Sequence, residues 1–356
     1  MKTPWLILSL GLFAVGCSDD SGTVATSDFD DTVVIQNYVD SVMVPKYSLL
    51  ATRAQALEAA VETFAADRTQ ANLEAAQQAW RDARQPWEQS ETSLFGPVDV
   101  NGYDPAIDSW PLNLTDLNAV LASDVELTQA YFDGLDASIK GFHAVELKLF
   151  GADGMQTPDG LNPRELQYLR FAAADVAKTA NLLADSWTAG QTPYAEVFRT
   201  AGEANNTSYP SRSAAAQEIV TGMITILDEV ANGKISDPYN QRDQGLVESP
   251  YSFNSIRDFS DNIRGAKSAY MGDFDLASKN GRGLDEWIAE RDPQLNDRVI
   301  QEFDAAIEAI EAIPAPFRDA ILDDAGRAKI QSAIDAILVV KNTVESDVQP
   351  TVRGDR

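Results

Sequence analysis

The only histidine of this 356-residue chain, His143, stands in the stretch IKGFHAVELKLFG at 139–151, three positions before Glu146. On a helix that spacing puts imidazole and carboxylate on one face, where they can bond each other or hold a common ion. The order is the reverse of the Glu-x-x-His by which carboxylate-bridged bundles hold metals in their interior. Alone the pattern is weak, because a single His near an apolar face is commonly a satisfied core or surface residue.

A second stretch adds weight. In AWRDARQPWEQSETSLFGP at 79–97, Trp80, Arg84, Trp87 and Glu91 recur at intervals of four, three and four, so an Arg and a Glu share the stripe that carries two indoles. Charge on a core-facing stripe is costly unless it is paired or hydrogen-bonded. The plainer alternative is that Arg84 snorkels between the indoles and bonds Glu88 one turn on. Pro86 falls inside the pattern and is expected to bend it.

The elements that must position these residues are helical. Apolar residues recur at three and four along almost every long segment, Ala, Leu, Gln and Glu are abundant, and β-branched runs are few. The chain reads as all-α, with helices near 32–66, 70–95, 115–150 (broken near Ser123), 163–189, 211–232, 250–271, 284–312 and 325–348. Pro is expected to end helices at SDPYN (236–240) and IPAPF (313–317). Eight helices divide into two four-helix bundles, 32–200 and 211–350, across the polar stretch 200–213. A single α-solenoid is the alternative, but no repeat of fixed period supports it.

Residues 1–16 have the outline of a secretory signal: Lys2, an apolar run, and Gly16 before Cys17. AVGC is similar to a bacterial lipobox, with Ala14 where Leu is more usual, and Cys17 is the lone cysteine, so a lipidated Cys17 followed by a solvated tether over 17–31 is expected. Ser18 after the cysteine favours the outer membrane, facing the periplasm. Loss of Lys2 with the signal makes the formal charge one unit more negative than −27. Such a surface repels nucleic acid and anionic lipid.

NYVDSVMVPKY at 37–47, the Trp-Arg-Trp-Glu stretch, YDPAIDSWP at 103–111, GFHAVE at 141–146, YSFNSIRDFSDNI at 251–263 and the following GLDEW resemble the imelysin family in order and spacing. The family signature Gly-x-His-x-x-Glu is matched by Gly141, His143 and Glu146. The resemblance implies two helical-bundle domains, a bacterial envelope location and a site near the domain interface. It nominates His143 and Glu146 first, then Arg84 and Glu91 with Trp80 and Trp87, then Asp108, and more weakly Ser255 and Asp258. Imelysin was named as a peptidase, while other members belong to iron uptake, so it implies two activities.

One His rules out His-Glu-x-x-His and any two-His zinc site, and no Gly-x-Ser-x-Gly elbow occurs. His143, Glu146 and Glu91 together would offer a metal one nitrogen and several oxygens, a set suited to iron or another divalent ion such as manganese. Haem fits less well with the one imidazole committed to Glu146. Three readings stay open: an envelope-tethered protein binding iron or an iron-containing ligand and serving an envelope iron-transport partner, a metallopeptidase, and a binding module for a peptide, sugar acid or protein. In the first, binding is expected to weaken as pH falls below about 6 to 6.5, where a free imidazole protonates.

Overall fold

The computed structural model describes residues 31–354 apart from 278 and 280. The signal, Cys17 and almost all of the tether lie outside the described residues. The fold is all-α, with no strand among the described residues. Its long helices are α1 (Val44–Ala66), α2 (Gln70–Ser90), α5 (Pro163–Thr188), α6 (Arg212–Asp228), α7 (Ser255–Met271), α8 (Pro293–Glu311) and α9 (Asp324–Thr343), with the short α3 (Tyr103–Asp108) and α4 (Gly141–Phe150) between α2 and α5.

In the first half α1 lies along α2 and α5, and α4 bridges α5 and α2; in the second, α6 to α9 pack on one another. The halves meet where α2 lies against α7 and the 3-10 turn Glu91–Ser93 lies against α6. Buried apolar residues form one contiguous cluster running from Val34 to Val352 through both sets of helices. Close backbone approach makes the contact between halves possible. A Cβ on Gly265 of α7 would strike the Gln89 carbonyl, and one on Gly222 of α6 would strike that of Thr92.

Prolines shape the helices differently from the expectation. The three π-helical turns among the described residues, Tyr38–Met43, Glu229–Ile235 and Val344–Val348, each end two or three residues before Pro45, Pro238 or Pro350. Proline has no N–H to give the carbonyl four residues back and its ring crowds that carbonyl; widening the preceding turn relieves both problems. The SDPYN stretch therefore does not break the chain: α6 runs through a π turn into a further helix, Ser236–Gln241. The freed carbonyls find other donors. Phe274 N–H donates to Ser41 O at 2.8 Å, four residues before Pro45, and the Arg53 guanidinium donates to Asp82 O at 2.8 Å, four residues before Pro86.

The break expected near Ser123 is present, but the segment 115–150 is divided further, into four short pieces: Leu114–Ala122, Gln129–Asp133, the 3-10 turn Ala137–Ile139 and α4. Asn113, Thr128 and Asp136 explain the fragmentation, since each accepts a hydrogen bond from an N–H of the turn that follows it, which favours a new start over continuation. The segment 284–312 is likewise split, because Asp292 caps α8 and Pro293 occupies its first turn. The segment 250–271 becomes helical only at Ser255, after a loop in which Ser249 and Phe253 adopt positive φ. The IPAPF stretch does end α8.

Candidate cation centre between the two helical halves

The sequence brings charge to one place from seven segments. The last turns of α2 supply Arg84, Trp87 and Glu88, and the 3-10 turn after it Glu91. Asp108 ends α3, and His143 and Glu146 lie on α4. The π turn supplies Lys234, the loop before α7 Glu248 and Ser252, and α7 itself Asp258 and Asn262. Gly141 makes the α3–α4 junction: it has φ 72°, and a Cβ there would strike the Ile107 carbonyl, so only glycine lets α4 begin against the end of α3 and set His143 beside Asp108.

His143 is buried, with Trp110 against its ring at 4.6 Å between centroids. Its Nδ1 lies 3.0 Å from Glu146 Oε2. Glu146 Oε1 accepts from the N–H groups of Tyr251 (3.0 Å) and Ser252 (2.8 Å) and from the Ser252 hydroxyl (2.7 Å). Four partners use the acceptor capacity of that carboxylate. Glu146 thus orients the ring and does not share an open coordination position with it, which differs from the paired-ligand expectation. The other ring nitrogen, Nε2, makes no hydrogen bond; it faces Asp108 Oδ1 at 3.2 Å and Glu248 Oε1 at 3.9 Å.

Arg84 does more than snorkel. Its guanidinium pairs with Glu88 and Asp108, reaches Glu248 at 3.2 Å and Asp258 at 3.6 Å, and lies over the Phe142 and Trp80 rings. The Glu88 bond foreseen for it is therefore one of several. Trp87 Nε1 donates to Asp108 Oδ2 at 2.5 Å. Trp80 meets the centre only through its ring beneath Arg84; its Nε1 donates to Phe142 O at 2.9 Å and ties α2 to α4. Lys234 donates to Glu91 at 2.7 Å and to Glu88 and Glu248 at 3.3 Å each. Asp258 accepts from Ser249 and Asn254, and the Ser255 hydroxyl donates to the Glu248 carbonyl, bracing the loop.

Carboxylates outnumber bases here. Glu88, Glu91, Asp108, Glu248 and Asp258 face the two permanent cations Arg84 and Lys234, and Glu146 faces His143. Protons answer the excess. Burial, reinforced by neighbouring carboxylates, raises Glu91, Glu248 and Asp258 above the usual carboxyl range. Burial opposes the charged imidazole, but Asp108 and then Glu146 outweigh it and raise His143 to about 9. Asp108 is the exception: burial opposes its ionisation, yet Arg84 and His143 hold it well below the usual range.

A cavity of about 340 Å³ opens over this centre, lined by Glu91, Asp104, Asp108, Glu229, Lys234 and Glu248. Beneath it, two sets of side chains bring ligand atoms within 4.8 Å of one another: Asp108, His143 and Glu248, and Glu88, Glu91 and Asp108. Of the residues singled out from the sequence, Arg84, Trp87, Glu91, Asp108, His143, Glu146 and Asp258 converge; Trp80 and Ser255 support them from behind. Sequence reasoning missed Glu248, Lys234, Ser252 and Asn262 as site residues. Glu248 and Ser252 sit in an irregular loop with no periodicity, and Lys234 lies past the expected end of its helix.

The imelysin family model matches residues 43–344, and the chain belongs to that family. Among particular relatives, it is 36% identical over 313 residues to iron-regulated protein A of Synechococcus elongatus, covering 87% of this chain and 84% of that one. Its structure is similar to one described as an iron-regulated protein A precursor from Parabacteroides distasonis, with TM-score 0.82 and 28% identity over 90% of this chain and 94% of that one. An imelysin-like protein from Psychrobacter arcticum shares the fold, with TM-score 0.71 and 14% identity over 90% and 96% of the two chains.

Proposed function

We propose that this protein handles iron in the bacterial envelope, binding a single ion through His143 Nε2, Asp108 and Glu248. The observation that carries the reading is the convergence of His143 Nε2, Asp108 and Glu248 in a centre with more carboxylates than bases, with Oε2 of Glu248 buried and without a hydrogen bond and Nε2 facing only carboxylates. An unpaired buried polar atom is costly unless something uses it. One imidazole nitrogen with carboxylate oxygens is a donor set for iron or manganese. The fit of these residues to a cation is independent of the relatives' names, and those names favour iron over manganese.

Glu146 supports the site from behind, fixing Nδ1 as imidazole ligands generally require. A carboxylate-lined cavity suits a bare cation better than haem, which needs apolar walls. The same acidity repels anionic chelates. Lipidation at Cys17, attachment to the outer membrane and delivery to an envelope transport protein complete the proposal, on the strength of the AVGC stretch and Ser18.

Isothermal titration with ferrous iron under anaerobic conditions, and with ferric iron, tests it. His143→Ala and Glu248→Gln are each expected to weaken binding at least about tenfold, roughly 1.4 kcal/mol. Circular dichroism of both variants should match the wild type. Wild-type affinity in both variants would refute the reading.

A further inference from the structure

The second set of ligand atoms, Glu88, Glu91 and Asp108, shares Asp108 with the first and lies under the same cavity. Two adjoining sets bridged by one carboxylate have the layout of a two-metal centre, in which ions sit about 3.5 to 4 Å apart. Here the second position has an occupant supplied by the chain. The Lys234 ammonium has three N–H bonds, and three carboxylates surround it: Glu91 at 2.7 Å, Glu88 at 3.3 Å and Glu248 at 3.3 Å. Asn262 Nδ2 donates to the same oxygens, Glu91 Oε2 at 2.6 Å and Glu88 Oε2 at 2.8 Å, so the Glu88 and Glu91 atoms that a second ion would use are taken.

The backbone explains how the ammonium arrives. Lys234 is the residue four before Pro238, the carbonyl that proline deprives of a donor, and it lies in the π turn Glu229–Ile235 that widens the helix there. A regular helix would distribute residues 229–235 differently around its axis; the widened one lets both Glu229 and Lys234 line the cavity.

We propose that the Lys234 ammonium is the resident cation of the Glu88–Glu91–Asp108 set and limits this centre to one bound metal ion. The proposal rests on the reading that the His143 set binds iron. Lys234 is then a specificity-determining residue: it stands where a second ion would make a carboxylate-bridged pair, and of the His143 set it touches Glu248 alone, leaving His143 Nε2 and Asp108 to the bound ion.

The test is the stoichiometry of ferrous iron bound anaerobically by the purified protein, from titration calorimetry and elemental analysis of the same samples. The wild type is expected to bind one ion, Lys234→Gln two, and Lys234→Arg one, because the guanidinium keeps the charge. Two ions in the wild type, or one in a folded Lys234→Gln protein, would overturn the proposal. Should Lys234→Gln fail to fold, Lys234→Met decides by the same measurement: two ions in the folded protein are expected, and one would overturn the proposal. No binding by the wild type would defeat the underlying reading itself, a result distinct from each of these.

Discussion

An imidazole divided between two carboxylates governs this centre. Glu146, held by Tyr251 and Ser252, takes Nδ1, and Asp108, held by Arg84 and Trp87, faces Nε2. The raised value of about 9 means that free His143 carries a proton at neutral pH. A cation taking Nε2 must expel that proton. Apparent affinity is therefore expected to rise about tenfold per pH unit through neutrality and to level near pH 9, not near the 6 to 6.5 expected of a free imidazole. Titration in buffers of differing ionisation heat should report about one proton released at pH 7, and more if Glu248 also ionises on binding; a plateau from pH 6.5 upward would contradict this. Stability without metal follows the same linkage. A group whose folded value exceeds its unfolded one, here about 6.5, stabilises fully below that value and loses the effect as pH rises toward 9. His143→Gln is expected to flatten that part of the stability profile measured by denaturation. At this scale the His-Glu spacing and the Trp-Arg-Trp-Glu stripe were legible, because helical periodicity brings such residues to one face. Glu248 and Ser252 were not, because a loop with positive φ at Ser249 and Phe253 leaves no periodic trace.

Among the elements, the prolines and close-approach glycines decide whether the centre forms. Gly265 lets α7 lie on the end of α2, bringing Asp258 to Arg84 and Asn262 to Glu88 and Glu91. Gly265→Ala drives a methyl group into the Gln89 backbone, and chemical denaturation is expected to show a loss of about 1 to 3 kcal/mol. A change below about 0.5 kcal/mol, the range of ordinary surface substitutions, would mean that the backbones yield freely there. Helix periodicity and the long stretches α1, α2 and α5 were legible from sequence. The break near Ser123 was legible, but the further fragmentation of 115–150 was not, since Thr128 and Asp136 are polar residues that a periodic count treats as solvent-facing. Nor was the passage of the helix through Pro238, because proline in isolation reads as a stop and only a π turn reconciles it with continuation.

The two halves of the whole molecule make one site: the first brings His143, Asp108, Glu88 and Glu91, the second Lys234, Glu248 and Asn262. The apolar cluster through both halves contains none of the charged side chains of the centre, so folding is expected not to depend on metal. Chelation is expected to leave the helical circular dichroism unchanged and to lower the melting temperature only by the amount that lost ligand binding dictates. Collapse of the signal would make the ion structural. Cys17→Ser is expected to abolish partitioning into detergent, and equal partitioning of both forms would remove the lipid anchor from the proposal. The all-α class and the family were legible because the quoted stretches occur in order along nearly the whole chain. The convergence of seven side chains from both halves was not, since nothing local in the sequence encodes the packing of α2 on α7.

The most direct test of iron binding at the His143 set is an anomalous difference map at the iron edge, from crystals of the wild type equilibrated with ferrous iron without oxygen. One peak is expected, bounded by His143 Nε2, Asp108 and Glu248, with Lys234 still paired to Glu91. An empty map at that position, or a peak only among Glu88, Glu91 and a displaced Lys234, would contradict the account.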